Sequence, residues 1–69
     1  MPNSVYKVIE VIGTSSTSWE DAAKAAVTLA GKTLKDLRVA EVVDQDLRIE
    51  NGKISAFRTK LRLSFKYRE

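Results

Sequence analysis

A long β-hairpin in the second half of the chain constrains the fold more than any other feature. Residues 38–50 and 53–67 alternate with a period of two, and Asn51-Gly52 between them is a strong two-residue turn signal. At ~3.3 Å per residue, each arm extends on the order of 40 Å. The predicted helix, residues 18–33, measures about 24 Å at ~1.5 Å per residue, so it cannot cover the hairpin. Other copies of the chain are therefore predicted to cover the apolar side chains near the tip: Leu47, Ile49, Ile54, Ala56 and Phe57.

The size of the chain limits how much stability its own core can supply. Its 69 residues are predicted to form one domain, residues 1–69, for which a single core is only marginally stabilising. Domains of this size usually add disulfides, metals or oligomerisation. The absence of cysteine and histidine excludes disulfides, thiolate sites and the commonest general base. A non-enzymatic protein is therefore predicted, with oligomerisation or an oxygen-ligated cation as the remaining sources of stability.

Charge and hydropathy point away from membranes and nucleic acids. The first ten residues lack the features of a signal peptide, and no segment approaches the length of a membrane span, which predicts a soluble, cytoplasmic protein. A net charge of +3 is too small for a nucleic-acid-binding tail. The basic stripe of the last strand is interpreted as forming interface ion pairs, although it could also bind an anionic ligand in an assembly. The stripe consists of Arg58, Lys60, Arg62 and Lys66.

The order of elements predicts an α+β fold. Residues 5–12 form a first strand that ends at Gly13, and a helix follows from Ser18 to about Thr33. Thr17 with Glu20, or Ser18 with Asp21, provides a capping box. Because the helix returns the chain between two strands that run in the same direction, an all-antiparallel sheet requires the order 1-3-2. The prediction is a βαββ domain in which a three-stranded antiparallel sheet wraps one helix.

A two-residue turn also fixes the predicted register of the hairpin. The predicted pairs on the face under the helix are Ala40 with Leu63, Val42 with Leu61, Asp44 with Thr59 and Asp46 with Phe57. The predicted pairs on the other face are Glu41 with Arg62, Val43 with Lys60 and Gln45 with Arg58. On that face charged and apolar residues alternate, which favours a protein–protein surface.

The chain resembles the dodecin family over nearly its whole length. The resemblance rests on VYKVIEVIGTS at the front, the SW helix start, VAEVVDQ in the second strand and SFKYRE at the close. It implies a βαββ subunit in a hollow homododecamer that binds small ligands or ions. Flavin-binding members carry a stacking tryptophan where this chain has Val39, and commonly a glutamine where it has Arg58. The candidate flavin-site residues are therefore Val39, Arg58 and Gln45, the predicted partner of Arg58, and riboflavin or FMN binding is expected to be weak or absent.

With a non-aromatic residue at the flavin position, the chain resembles a subgroup described as calcium dodecins. This resemblance implies divalent-cation storage. Asp44, Asp46 and Glu20 are the candidate metal ligands, because the predicted packing places them near one end of the helix. Asp21 and Glu10 are predicted to lie towards the same end. Carboxylates with nearby hydroxyls and carbonyls suit calcium. The alternative is that Asp44 caps the helix or pairs with a lysine or arginine. A flavin-sequestering function remains the second hypothesis.

Overall fold

The structure is a computed structural model that describes residues 3–67. One helix packs against one face of a three-stranded antiparallel sheet with the order β1-β3-β2, which confirms the predicted α+β fold. The elements are β1 (Tyr6–Ser15), α1 (Trp19–Thr33), β2 (Leu37–Glu50) and β3 (Lys53–Lys66). No helix within the described residues is long and apolar enough to cross a membrane.

The helix begins where the capping signal predicts. Ser18 is the N-cap, and its hydroxyl accepts a hydrogen bond of 2.9 Å from the backbone amide of Asp21. Asp21 and Glu20 lie in the first turn, where acidic side chains stabilise the positive end of the helix dipole. The choice between the two predicted capping boxes is therefore settled in favour of Ser18 and Asp21.

The first strand is longer than predicted, because Gly13 does not end it. β1 continues to Ser15, and Gly13 pairs with Thr59 of β3 in the regular ladder. A Cβ atom built on Gly13 would lie 2.1 Å from the carbonyl oxygen of Ala22 in α1. The glycine therefore permits a close approach of helix and sheet rather than a turn.

The hairpin turn has the predicted form. Asn51 and Gly52 have φ angles of 53° and 72°, and a type I′ turn requires positive values at both positions. Beyond the turn, Glu50 pairs with Lys53. At the far end, the predicted pair of Ala40 with Leu63 is confirmed, as are Val42 with Leu61 and Glu41 with Arg62.

Two bulges shift the register between these ends. The first lies between Val42, which pairs with Leu61, and Asp44, which pairs with Lys60, so that Val43 is left without a partner. The second, at Ser55, restores the original register before the turn. The Ser55 hydroxyl donates to the carbonyl oxygen of Arg48 and accepts from its Nε, both at 3.2 Å, which stabilises the second bulge.

The predicted pairings between the bulges are therefore wrong. These are the pairs of Asp44 with Thr59, Asp46 with Phe57, Val43 with Lys60 and Gln45 with Arg58. A one-residue shift moves every side chain to the other face of the sheet. Asp44 and Asp46 consequently lie on the face away from α1, whereas Gln45 pairs with Thr59 on the helix side. We call the face away from α1 the open face.

The core beneath the helix is small. The buried apolar residues are Ala22, Ala56, Leu61 and Leu63, together with the polar Thr59. Of the apolar residues near the hairpin tip, Ile49 and Ile54 remain 63% and 55% exposed in the single chain. Ala56, in contrast, is buried within the chain.

Candidate functional site

The start of α1 is attached to the hairpin through Trp19. The indole Nε1 donates a 3.0 Å hydrogen bond to the carbonyl oxygen of Asp46, and the ring meets Phe57 edge-on with centroids 5.3 Å apart. The Trp19 carbonyl oxygen accepts a 2.9 Å bond from the hydroxyl of Thr59. These contacts pack Trp19 against the sheet at the helix start, and they place the Asp46 backbone at this end of the helix.

Several side-chain oxygen atoms gather where β1 leads into α1, beside Glu20, which was predicted to be a metal ligand. The Ser15 hydroxyl donates to Oδ2 of Asp21 at 2.8 Å, and the Thr17 hydroxyl donates to the same atom at 3.3 Å. Glu20, the predicted metal ligand beside them, is exposed, and its carboxylate makes no hydrogen bond or ion pair with residues 3–67. The Asp21 carboxylate was not one of the three candidate ligands, although the sequence predicts its position at this end of the helix.

On the open face, Asp46 forms a two-point ion pair with Arg58. Nε of Arg58 lies 2.7 Å from Oδ1 of Asp46, and Nη2 lies 3.2 Å from Oδ2. This geometry joins a planar guanidinium to a planar carboxylate through two parallel bonds. Arg58 was predicted to be a flavin-site residue and Asp46 a metal ligand, but in the structure their side chains bind each other.

The Asp44 carboxylate, unlike that of Asp46, is not paired with a cation from residues 3–67. Its Oδ1 accepts a 2.9 Å bond from the adjacent Gln45 amide, and its ladder partner is Lys60. Lys60, however, directs its ammonium group to Glu10 at 3.6 Å. Within the described part of the chain, the Asp44 carboxylate therefore has no cationic partner, and the structure shows it neither capping the helix nor forming an ion pair.

A second group of charges bridges all three strands of the open face. Nη2 of Arg62, on the central strand, lies 3.0 Å from Oε2 of Glu10 on β1, and Nη1 lies 3.8 Å from Oε1 of Glu41 on β2. The hydrogen bond from Arg62, aided by the positive charge of Lys60, lowers the pKa of Glu10. The basic stripe of β3 is thus largely occupied by cross-strand ion pairs within the chain.

One chain does not bring the candidate flavin residues together. Val39, which is 56% exposed, pairs with Ser64 on the open face, six residues along β3 from Arg58. At ~3.3 Å per residue this separation is about 20 Å. Gln45 lies on the opposite face because of the bulge. The single chain therefore offers neither an aromatic stacking surface nor a joint pocket at these positions.

The donor atoms suit a hard cation, but one chain supplies too few of them in one place. Without cysteine or histidine, the strong ligands are carboxylate, hydroxyl and carbonyl oxygens, which calcium prefers. Among residues 3–67, no three acidic side chains converge in a way that could hold a metal ion. Asp44, Asp46 and Glu20 therefore do not form a complete site within a single chain.

Comparisons with known proteins agree with the fold and with the sequence resemblance. The dodecin family profile matches residues 5–68. The calcium dodecin of Mycobacterium tuberculosis is 51% identical over 65 residues, which cover 94% of this chain and 92% of that protein.

Solved structures give the same result. The dodecin of Streptomyces coelicolor matches with a TM-score of 0.92 at 38% identity, covering 100% of this chain and 99% of that chain. A calcium-chelating antigen of M. tuberculosis, calcium dodecin, described as having a novel calcium-binding site, matches with a TM-score of 0.84 at 55% identity over 94% and 93% of the two chains. The chain belongs to the dodecin family.

Proposed function

We propose that this protein is a non-enzymatic calcium-binding dodecin that stores or buffers the ion in the cytoplasm as a hollow homododecamer. The observation that carries the proposal is the 51% identity, over nearly the full length, to a relative named calcium dodecin. The oxygen-only donor set and the uncovered apolar surface of the subunit support it independently.

The assembly part of the proposal rests on apolar surface that the single chain leaves in water. Leu29 is 67% exposed and lines a groove of about 500 Å³ between α1 and β1, beside Val11 and Ile12. A second groove of about 300 Å³ runs between α1 and β2, where Val42 is 51% exposed. Large exposed apolar areas mark association surfaces, and domains of this size commonly depend on association for stability.

The calcium part of the proposal assigns Asp44, Asp46 and Glu20 to ligand positions that more than one copy completes. Calcium takes about six to eight oxygen ligands, and one chain does not gather three carboxylates within its described residues. A symmetry axis would bring identical carboxylates together, and their mutual repulsion would favour binding of a cation. Within residues 3–67 neither Asp44 nor Glu20 has a cationic partner, whereas Asp46 is paired with Arg58. Asp44 is tested first, because it also lies on the same face of the sheet as Asp46.

Calcium is expected to raise the melting temperature of the unaltered protein, because a ligand that binds only the folded assembly stabilises it by mass action. At a free concentration one hundred times the dissociation constant, the stabilisation is about 2.7 kcal/mol per site. Asp44→Asn should abolish the rise while leaving the oligomer intact. Glu50→Gln, which removes an exposed carboxylate next to the turn, is the matched control and should keep the rise.

Thermal melts in calcium and in a chelator, with calorimetric titration, test this prediction. Identical melting curves and no binding heat would contradict calcium binding and would leave Asp44 as a solvated surface carboxylate.

Flavin binding is the alternative function, and the exposed Val39 argues against strong affinity. Stacking on a flat ring requires an aromatic face and contributes about 1 kcal/mol per good pair. Riboflavin and FMN are therefore expected to bind weakly, and Val39→Trp should strengthen binding roughly fivefold or more. Val39→Leu, which adds apolar volume without a ring, is the control. Fluorescence-quenching titrations measure all three proteins, and nanomolar binding by the unaltered chain would favour the flavin function instead.

A further inference from the structure

The carboxylate of Asp46 is already neutralised by an internal cation. Both of its oxygens contact Arg58, at 2.7 and 3.2 Å, whereas Asp44, two residues earlier on the same face, has no such partner within residues 3–67. The first bulge causes this pairing, because it turns Asp46 from the helix side to the side of Arg58. The two neighbouring carboxylates therefore differ in their availability to a cation.

The ion pair is weak enough for a divalent cation to displace it. The side chains of Arg58 and Asp46 are 39% and 55% exposed, so water and salt screen their attraction. A divalent cation carries twice the charge and contacts carboxylate oxygens directly at ~2.3–2.6 Å. Arg58 can swing into solvent without leaving a buried group unpaired, which keeps the cost of displacement low.

We propose that Arg58 is a built-in competitor for the Asp46 carboxylate, which a divalent cation must displace, and that it thereby sets the calcium affinity of the open face. The inference rests on the proposed function, since it assumes that calcium reaches Asp46. It assigns Arg58, at a position associated with flavin in other dodecins, to the control of cation affinity. Removing its charge should strengthen binding rather than weaken it.

Trp19 provides an optical probe of this event. It is the single tryptophan of the chain, and its indole Nε1 donates to the backbone carbonyl of Asp46 at 3.0 Å. Movement of this backbone carbonyl would alter the polarity around the indole. A change in tryptophan emission on calcium binding would therefore report movement of the Asp46 backbone, separately from the total heat of binding.

The test is a calcium titration of the intact assembly by calorimetry and by Trp19 emission. Arg58→Gln should lower the dissociation constant about 1.4-fold to fivefold, the range expected when a competing exposed ion pair is removed. Arg62→Gln is the matched control, because it removes the same charge from the same face but frees Glu10 and Glu41 instead. Arg58→Lys, which keeps the charge but loses the two-point contact, should give an intermediate affinity.

A double-mutant comparison isolates the pair. In an Asp46→Asn background, Arg58→Gln should change calcium affinity no more than Arg62→Gln does, because the carboxylate for which Arg58 competes is absent and only the effect of net charge remains. Melting curves in chelator establish that each variant is folded before it is titrated.

Four outcomes separate the inference from the proposed function. A gain in affinity with Arg58→Gln that is larger than that of Arg62→Gln, and that falls to that level with Asp46→Asn, supports the competition. Calcium binding that is equal in Arg58→Gln and the unaltered protein overturns the competition but leaves the calcium function standing. Equal gains in Arg58→Gln and Arg62→Gln overturn it too, since they reflect only the net charge of the face. No binding by any variant overturns both proposals.

Discussion

Replacing Gly13 by alanine is expected to destabilise the fold by about 3 kcal/mol, a large share of the ~5–15 kcal/mol that small domains possess. The new Cβ would lie 2.1 Å from the Ala22 carbonyl oxygen and 3.0 Å from the Ala26 Cβ. Ala22 is fully buried, so relief requires α1 to move off the sheet. Because α1 covers the buried Leu61 and Leu63, this movement would open the core. Thermal and urea denaturation measure the loss.

Gly31→Ala is the matched control for this substitution. A Cβ at Gly31 meets no atom within 4 Å, and the residue lies inside α1. Alanine has a higher helix propensity than glycine, so the variant should be as stable as the unaltered protein or up to about 1 kcal/mol more stable. Equal melting temperatures for the two alanine variants would contradict the close packing of α1 against the sheet at Gly13.

Ile49→Asp is expected to disrupt the proposed assembly and to lower the melting temperature at the same time. Ile49 is 63% exposed near the hairpin tip, where the single chain does not cover it. If neighbouring copies bury it, the substitution removes about 1.5–3 kcal/mol per copy and adds a carboxylate to an apolar contact. In the proposed homo-oligomer, symmetry would repeat this loss in every subunit. Light scattering at micromolar concentration, with melting curves, should therefore show smaller and less stable species.

Ile49→Val is the control for this experiment, since it keeps an apolar, β-branched side chain and should preserve the oligomer. An Ile49→Asp protein with the size and melting temperature of the unaltered chain would place the hairpin tip outside the interface. The other exposed apolar surfaces, such as the groove lined by Leu29, would then be the remaining candidates.

The parts of the fold that depend on local chemistry follow from the sequence. Asn51-Gly52 determines the turn, Ser18 caps the helix, and the order of elements leaves one all-antiparallel arrangement. The first bulge has no such local signal, because Val42 and Val43 are both ordinary strand residues. The prediction that the first strand ends at Gly13 was wrong for a related reason. Glycine is needed there because α1 lies so close to the strand, and that distance depends on tertiary packing rather than on local sequence.

The same limit applies to the candidate site. The pairing of Glu41 with Arg62 lies outside the shifted segment and was predicted correctly, whereas the placement of Asp44 and Asp46 under the helix was wrong. The extra residue in the first bulge, Val43, places both carboxylates on the open face. Asp46, rather than the predicted Gln45, is therefore the partner of Arg58. The residue types of the proposed cation site could thus be read from the sequence, but their face and their partners could not.

Native mass spectrometry of the unaltered protein, with and without calcium, tests the central claim most directly, because one spectrum reports both the number of subunits and the mass of bound ions. The proposed function predicts a twelve-subunit species that gains a defined number of calcium ions and loses them in chelator. A monomer, or an assembly whose mass does not change with calcium, would contradict it.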